Sequence, residues 1–349
     1  MLPTSRAASS ASSPAARSAD DPPLTSGAVA TDTTAEADKV RALRELLPAA
    51  GAGIYLDTAT FGPLPAETAE AMRQAEDWEL RVGRVTVGRE EDVVQRADEA
   101  RAVIAALIGA APDAIALAHG RDDAIALARA SLGRDATIVE LVSSVTGERA
   151  AGQPAPARDA GPLVVDASNA AGAIPLAVDE LTADAVVLAT DRWLLGPEGT
   201  AALWLRRPSP VALPARQLPR TALVGLARSV GWLEMYVGLD WIHERTARLA
   251  GRLHGALSAI DGVEVVTPSP PPAGIVSFRL PAWPVQEVAE ELGRRVFALL
   301  RALPAAGLLR ASVGWYNTAD ELDRFAGAVA ELAAHTPESL PRRPPLVIR

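Results

Sequence analysis

Apolar and polar positions follow two rhythms along this chain. Short apolar runs bounded by Gly, Pro, Asn or Asp read as buried strands at 114–118, 137–144, 163–166, 186–189 and 201–205. Three more follow at 263–266, 274–280 and 308–314. Between them, apolar residues recur every three or four positions and predict helices at about 35–47, 66–87, 89–109, 120–132, 238–259, 284–303 and 319–334. In the helix from 89, Val93, Val94, Ala97, Ala100, Val103, Ile104 and Leu107 share one face. Strands alternating with helices predict an α/β domain over 36–237, with a mostly parallel sheet flanked by helices. Residues 238–335 read as a linker helix and a smaller α+β domain. Residues 1–35, rich in Ala, Ser, Thr and Pro, predict a disordered tail, and 336–349 a flexible one.

Composition narrows the chemistry. The 349 residues carry a formal charge of −9, which argues against nucleic-acid or anionic-membrane surfaces. No apolar run reaches the roughly eighteen residues of a membrane span, and a cytoplasmic protein is expected. The absence of cysteine excludes disulfides and thiolate chemistry. The four histidines show no metal-ligand spacing. Lys39 is the only lysine, so a lysine nucleophile anywhere else is excluded.

Three stretches carry the remaining signal. Residues 184–200 run Asp-Ala-Val-Val-Leu-Ala-Thr-Asp-Arg-Trp-Leu-Leu-Gly-Pro-Glu-Gly-Thr; residues 163–172 run Leu-Val-Val-Asp-Ala-Ser-Asn-Ala-Ala-Gly; residues 309–323 run Leu-Arg-Ala-Ser-Val-Gly-Trp-Tyr-Asn-Thr-Ala-Asp-Glu-Leu-Asp. With the Tyr-Leu-Asp-x-Ala segment from Tyr55, these occur in an order that resembles class V aminotransferases, the pyridoxal-phosphate family that includes cysteine desulfurases and isopenicillin N epimerase. The resemblance covers about residues 40–335 and implies a fold-type I architecture and a dimer with cofactor sites at the subunit interface. It also implies roles: Asp166 opposite the pyridine nitrogen, Asn169 near the ring oxygen, and Arg310 gripping a substrate carboxylate.

The departures from that pattern are as informative as the matches. Arg192 stands at the Schiff-base lysine, with Asp191 where the family has histidine. A guanidinium stays protonated and cannot form an imine. Arg121 and Asp122 replace the two threonines that hold the cofactor phosphate. A carboxylate about 4 Å from a phosphate repels it by roughly 1 kcal/mol in water and about 4 at an effective dielectric of 20. Asp122 is therefore expected to cap the helix instead. The interval from 122 to 166 is too short for the family's βα units, so the sheet is expected to be truncated and to lack the ring-stacking segment. Asp166 then needs another cation, and Arg192 is the expected partner.

Three functions remain open from sequence. One is a non-catalytic homologue, without cofactor, acting as a structural or regulatory partner in a homodimer or in a heterodimer with an active relative. A second binds a carboxylate at Arg310 and works without pyridoxal phosphate. The third retains pyridoxal phosphate on a lysine from elsewhere, Lys39 or a partner chain. Trp78, Trp193, Trp232 and Trp241, with Met235 and Tyr236, are expected to contribute to a partner surface.

Overall fold

The computed structural model describes residues 34–85, 87–150, 161–207 and 218–341. The expected tail 1–35 lies almost wholly outside them, as do most of the 150–161 stretch and the end of the 336–349 tail. In chain order, α1 (Thr34–Glu45), α2 (Pro48–Ala52) and β1 (Ile54–Tyr55) lead to α3 (Ala66–Val82) and α4 (Arg89–Ile108). Then come β2 (Ile115–Ala118), α5 (Arg121–Leu132), β3 (Thr137–Glu140), β4 (Leu163–Asp166), β5 (Ala185–Ala189) and β6 (Ala201–Leu205). Helix α6 (Arg220–Trp232) continues into a π-helical segment, Leu233–Val237, before the long α7 (Leu239–Ser258). The remainder is β7 (Glu264–Val265), β8 (Ile275–Arg279), α8 (Val285–Val296), β9 (Ala298–Leu299), β10 (Arg301–Leu303), β11 (Leu308–Ser312) and α9 (Ala319–Ala333).

The larger sheet has the order β2-β6-β5-β4-β3. Strands β3, β4 and β5 pair in parallel, and only β6 runs against the rest. Successive residues of its strands enter opposite cores, as the pleat requires. Leu117, Val165, Val186 and Leu188 join the core beneath α4 and α6, while Ala116, Val164, Val187 and Leu203 face α5. Burial on both faces explains why these strands read as unbroken apolar runs. A second sheet, β10-β11-β8-β7, packs with α7, α8 and α9 around Phe278, Phe325 and Leu253.

Some boundaries differ from the sequence expectation. The helix predicted to 303 stops at Val296, where Phe297 takes a positive φ of 54° and the chain enters β9 and β10. The apolar period cannot distinguish these short strands from another helical turn. Helix α3 stops at Val82, before Gly83 with φ 82°. Helix α6 had no assigned element in the sequence reading; it packs against both α3 and α4. Trp193 and Trp232 are core residues, each 4% exposed, which corrects their expected place on a partner surface; Met235 and Tyr236 are exposed at 84% and 64%.

Candidate functional site

Strands running the same way end at one edge of the sheet, where open α/β sheets place their ligands. Strand β2 delivers Gly120 and the start of α5; β3 ends on Glu140, β4 on Asp166, and β5 leads into Thr190, Asp191 and Arg192. Glu140 and Asp166 are direct partners in the parallel register. The sequence-selected residues 121, 122, 166, 169, 191 and 192 thus lie on the turns and strand ends of this edge.

Their pairing differs from expectation. Arg121, not Arg192, neutralises Asp166: its Nε donates to Oδ2 at 2.6 Å, and Nη2 lies 2.6 Å from the same oxygen as an ion pair. Asp166 is 2% exposed, and its Oδ1 accepts from the Ser168 backbone N–H at 3.0 Å. Burial pulls Arg121 downward, but the Asp166 carboxylate, with Glu140 and Asp122, outweighs it and raises its pKa above the ordinary value. Asp122 does not cap α5. Its side chain is 93% exposed and, among the described residues, meets only the neighbouring Arg121 at 3.0 Å. Asp123 takes a terminal role instead, accepting from the His119 backbone N–H at 3.0 Å. Gly120, at φ 84°, turns the chain into the helix so that Arg121 points back across the strand ends.

Arg192 donates from Nη1 to Asn169 Oδ1 at 3.2 Å and makes no carboxylate ion pair within 4 Å among the described residues. Burial lowers its pKa, against the attraction of Asp166; the nearby Arg121 charge lowers it further. Asp191 is held by the Gly199 backbone N–H at 3.0 Å, and burial raises its carboxyl pKa.

Arg310 is spent within the chain. It is 5% exposed; Nη1 donates to the Ser144 carbonyl at 2.9 Å, and Nη2 to Thr60 Oγ1 at 2.5 Å and Asp57 Oδ1 at 3.3 Å. Only its Nε is buried without a partner. Arg301, directly opposite on β10, shares the same acceptors: 3.2 Å to Thr60 and 3.8 Å to Asp57. Asp57, Thr60, Glu140 and Ser144 were not singled out by sequence. The Tyr-Leu-Asp segment was the available signal for Asp57, but its partner lies 253 residues away.

These contacts close a ring around the strand ends. Arg121 meets Asp166; Asn169 meets Arg192; the Gly62 N–H donates to the Asp191 carbonyl at 2.8 Å; Thr60 and Asp57 hold Arg310; Ser144 accepts from Arg310. Ser144 donates to Glu140 at 3.0 and 3.2 Å, and Glu140 lies 3.8 Å from Arg121. A lysine-held pyridoxal phosphate does not suit these side chains. Position 192 offers no amine, Asp166 already holds a cation, and the start of α5 carries the Arg121–Asp122 pair where the resemblance implies phosphate-binding threonines. Lys39 is committed elsewhere, with Nζ donating to the Val237 carbonyl at 2.9 Å and lying 4.0 Å from the Trp241 ring centroid.

Residues 309–323 also have structural partners. Thr318 and Glu321 form a reciprocal capping box at α9, and Asn317 bonds the Gly314 N–H and the Tyr55 carbonyl. Among the described residues there is no cluster of potential metal ligands and no helix long and apolar enough to cross a membrane.

Comparison with known proteins is consistent with this architecture. The model for "Aminotransferase class-V" matches residues 217–325. A probable cysteine desulfurase of Xylella fastidiosa is 26% identical over 206 residues, 48% of this chain and 49% of that protein. The chain spans about half the length of the curated relatives it first matches. Among solved structures, the apo cysteine desulfurase of Thermococcus onnurineus NA1 aligns at a TM-score of 0.73 and 19% identity, covering 84% of this chain and 98% of that one. A C-DES mutant with glycine covalently linked to its PLP cofactor gives 0.75 at 14% identity, covering 82% and 98%.

Proposed function

We propose that this chain, which resembles the class V aminotransferases in its matched segment, its relatives and its fold, is a non-catalytic member of that family that does not hold pyridoxal phosphate through an imine. One observation carries the reading: the Asp166 carboxylate is occupied at 2.6 Å by Arg121, which comes from the turn where the family pattern has phosphate-binding threonines. The chain's own cation takes the place of a pyridinium. Losing the amine at 192 removes one function, whereas filling the site with an ion pair makes reloading unfavourable as well. Absorbance of the purified protein with added pyridoxal phosphate, followed by borohydride reduction and intact-mass measurement, tests this. No near-ultraviolet or visible imine band and no mass increment are expected. A stoichiometric band with the increment on Lys39 overturns the proposal.

Such a protein would act through a partner, either a second copy or an active relative. Support comes from exposed apolar side chains on the large lobe: Leu80 at 83%, Val85 at 100% and Met235 at 84%.

A further inference from the structure

The ion-pair ring leaves one cation under-served. Asp166 is bound by Arg121, Asp191 is turned to the Gly199 N–H, and Asp57 is shared by Arg310 and Arg301. Among the described residues, Arg192 has only an asparagine oxygen on one of its nitrogens, although it is partly buried. A desolvated guanidinium without a counter-ion is costly, and its planar fork of five N–H donors matches oxyanions. The Arg121 guanidinium repels Arg192, while Asp166, Asp191 and Glu140 attract it without coming within ion-pair distance. Arg310 also keeps a buried Nε without an acceptor, in a residue that is 95% buried by its 5% exposure. The segment Asp57–Gly62 joins the two arginines. It binds Arg310 at one end, and at the other a Cβ on Gly62 would lie 2.1 Å from the Arg192 carbonyl.

We infer that Arg192, with Asn169 beside it, is a non-covalent site for a small oxyanion (carboxylate, sulfate or phosphate). The position of a covalent amine has become an ionic one. The inference rests on the non-imine reading above, since an aldehyde cofactor at this place would compete for the same space. It differs from a retained Arg310 grip, because both terminal nitrogens of Arg310 are already bonded by Ser144, Thr60 and Asp57. The protein's net charge of −9 disfavours diffuse anion binding, so a saturable response would report a specific site.

The test is thermal-shift and calorimetric titration of the full chain with sodium phosphate, sodium sulfate and sodium succinate, with ionic strength held constant by sodium chloride. Saturable stabilisation by at least one oxyanion is expected, and the three arms identify its class. Arg192→Gln should weaken that affinity at least tenfold, Arg192→Lys less, and Arg294→Gln, on an exposed helix face, not at all. As a readout independent of variant folding, the bound anion should protect Arg192 from phenylglyoxal, mapped by mass spectrometry, and leave Arg294 reactive. Responses no larger than chloride alone, equal affinity in a folded Arg192→Gln, or no protection of Arg192 overturns the inference. If the titrations fail while no imine band forms, only this site is lost; an imine band removes the reading beneath it.

Discussion

Arg121 and Asp166 are 45 residues apart, yet two guanidinium nitrogens meet one carboxylate oxygen at 2.6 Å. Asp166 is buried at a strand end, while Arg121 keeps 29% side-chain exposure at a helix start. Breaking a buried pair costs about 3–5 kcal/mol, and the exposure of Arg121 places Arg121→Ala near the lower end. Asp166→Asn should cost at least as much, because it leaves Arg121 and Arg192 facing each other. Denaturant unfolding of both single variants and the double variant should show the double less destabilised than the sum. An additive result would mean that the pair contributes no coupling.

Restoring the amine alone should not restore the cofactor. Arg192→Lys leaves Arg121 on Asp166 and Asp122 at the α5 terminus. Its expected spectrum with pyridoxal phosphate shows no stoichiometric imine band. Stable uptake by this single variant would show that the ion-pair plug yields easily.

Asp191 gives a pH prediction. Burial raises its folded-state pKa, so the folded protein binds this proton more tightly than the unfolded chain. Ionised Asp191 therefore opposes folding at neutral pH. That cost disappears as pH falls through the raised value towards the ordinary aspartate pKa of about 3.9. Asp191→Asn should raise the melting temperature at pH 7, with an advantage that shrinks to near zero below about pH 4. A constant or inverted difference across that range would contradict the burial argument.

Gly62 supports the site mechanically. A Cβ there would lie 2.1 Å from the Arg192 carbonyl oxygen and 2.4 Å from Leu195 Cδ2. Gly62→Ala should cost about 1–3 kcal/mol or more, as overpacking does, and weaken anion binding at Arg192. Gly51→Ala, with open space around its Cβ, is the control and should be near neutral.

The partner proposal has its own measurement. Light scattering at micromolar concentration should give a mass above the 36.3 kDa of one chain, alone or mixed with an active class V relative. Replacing exposed Met235 and Leu80 by Ser should reduce it. A monomer mass under both conditions would end that part of the reading.

The sequence by itself determined the local elements and the chemical inventory. Strand runs such as Val186–Ala189 and the amphipathic α4 are legible because burial on fixed faces imposes a period on neighbouring residues. The Thr318–Glu321 capping box is likewise contained within four residues. A lone lysine at position 39 and an arginine at 192 exclude an imine to residue 192 itself without any coordinates. What tertiary structure alone decided was which charges meet. Arg121 and Arg192 both end near Asp166, and the sequence favoured Arg192 because it ends the neighbouring strand; the Gly120 turn instead aims Arg121 at Oδ2 and leaves Arg192 with Asn169. Arg310 was marked by its motif, but its acceptors come from the Asp57–Thr60 segment and from Ser144, 166 residues away. Such pairings depend on strand order and side-chain reach across the sheet edge, and no local period encodes either.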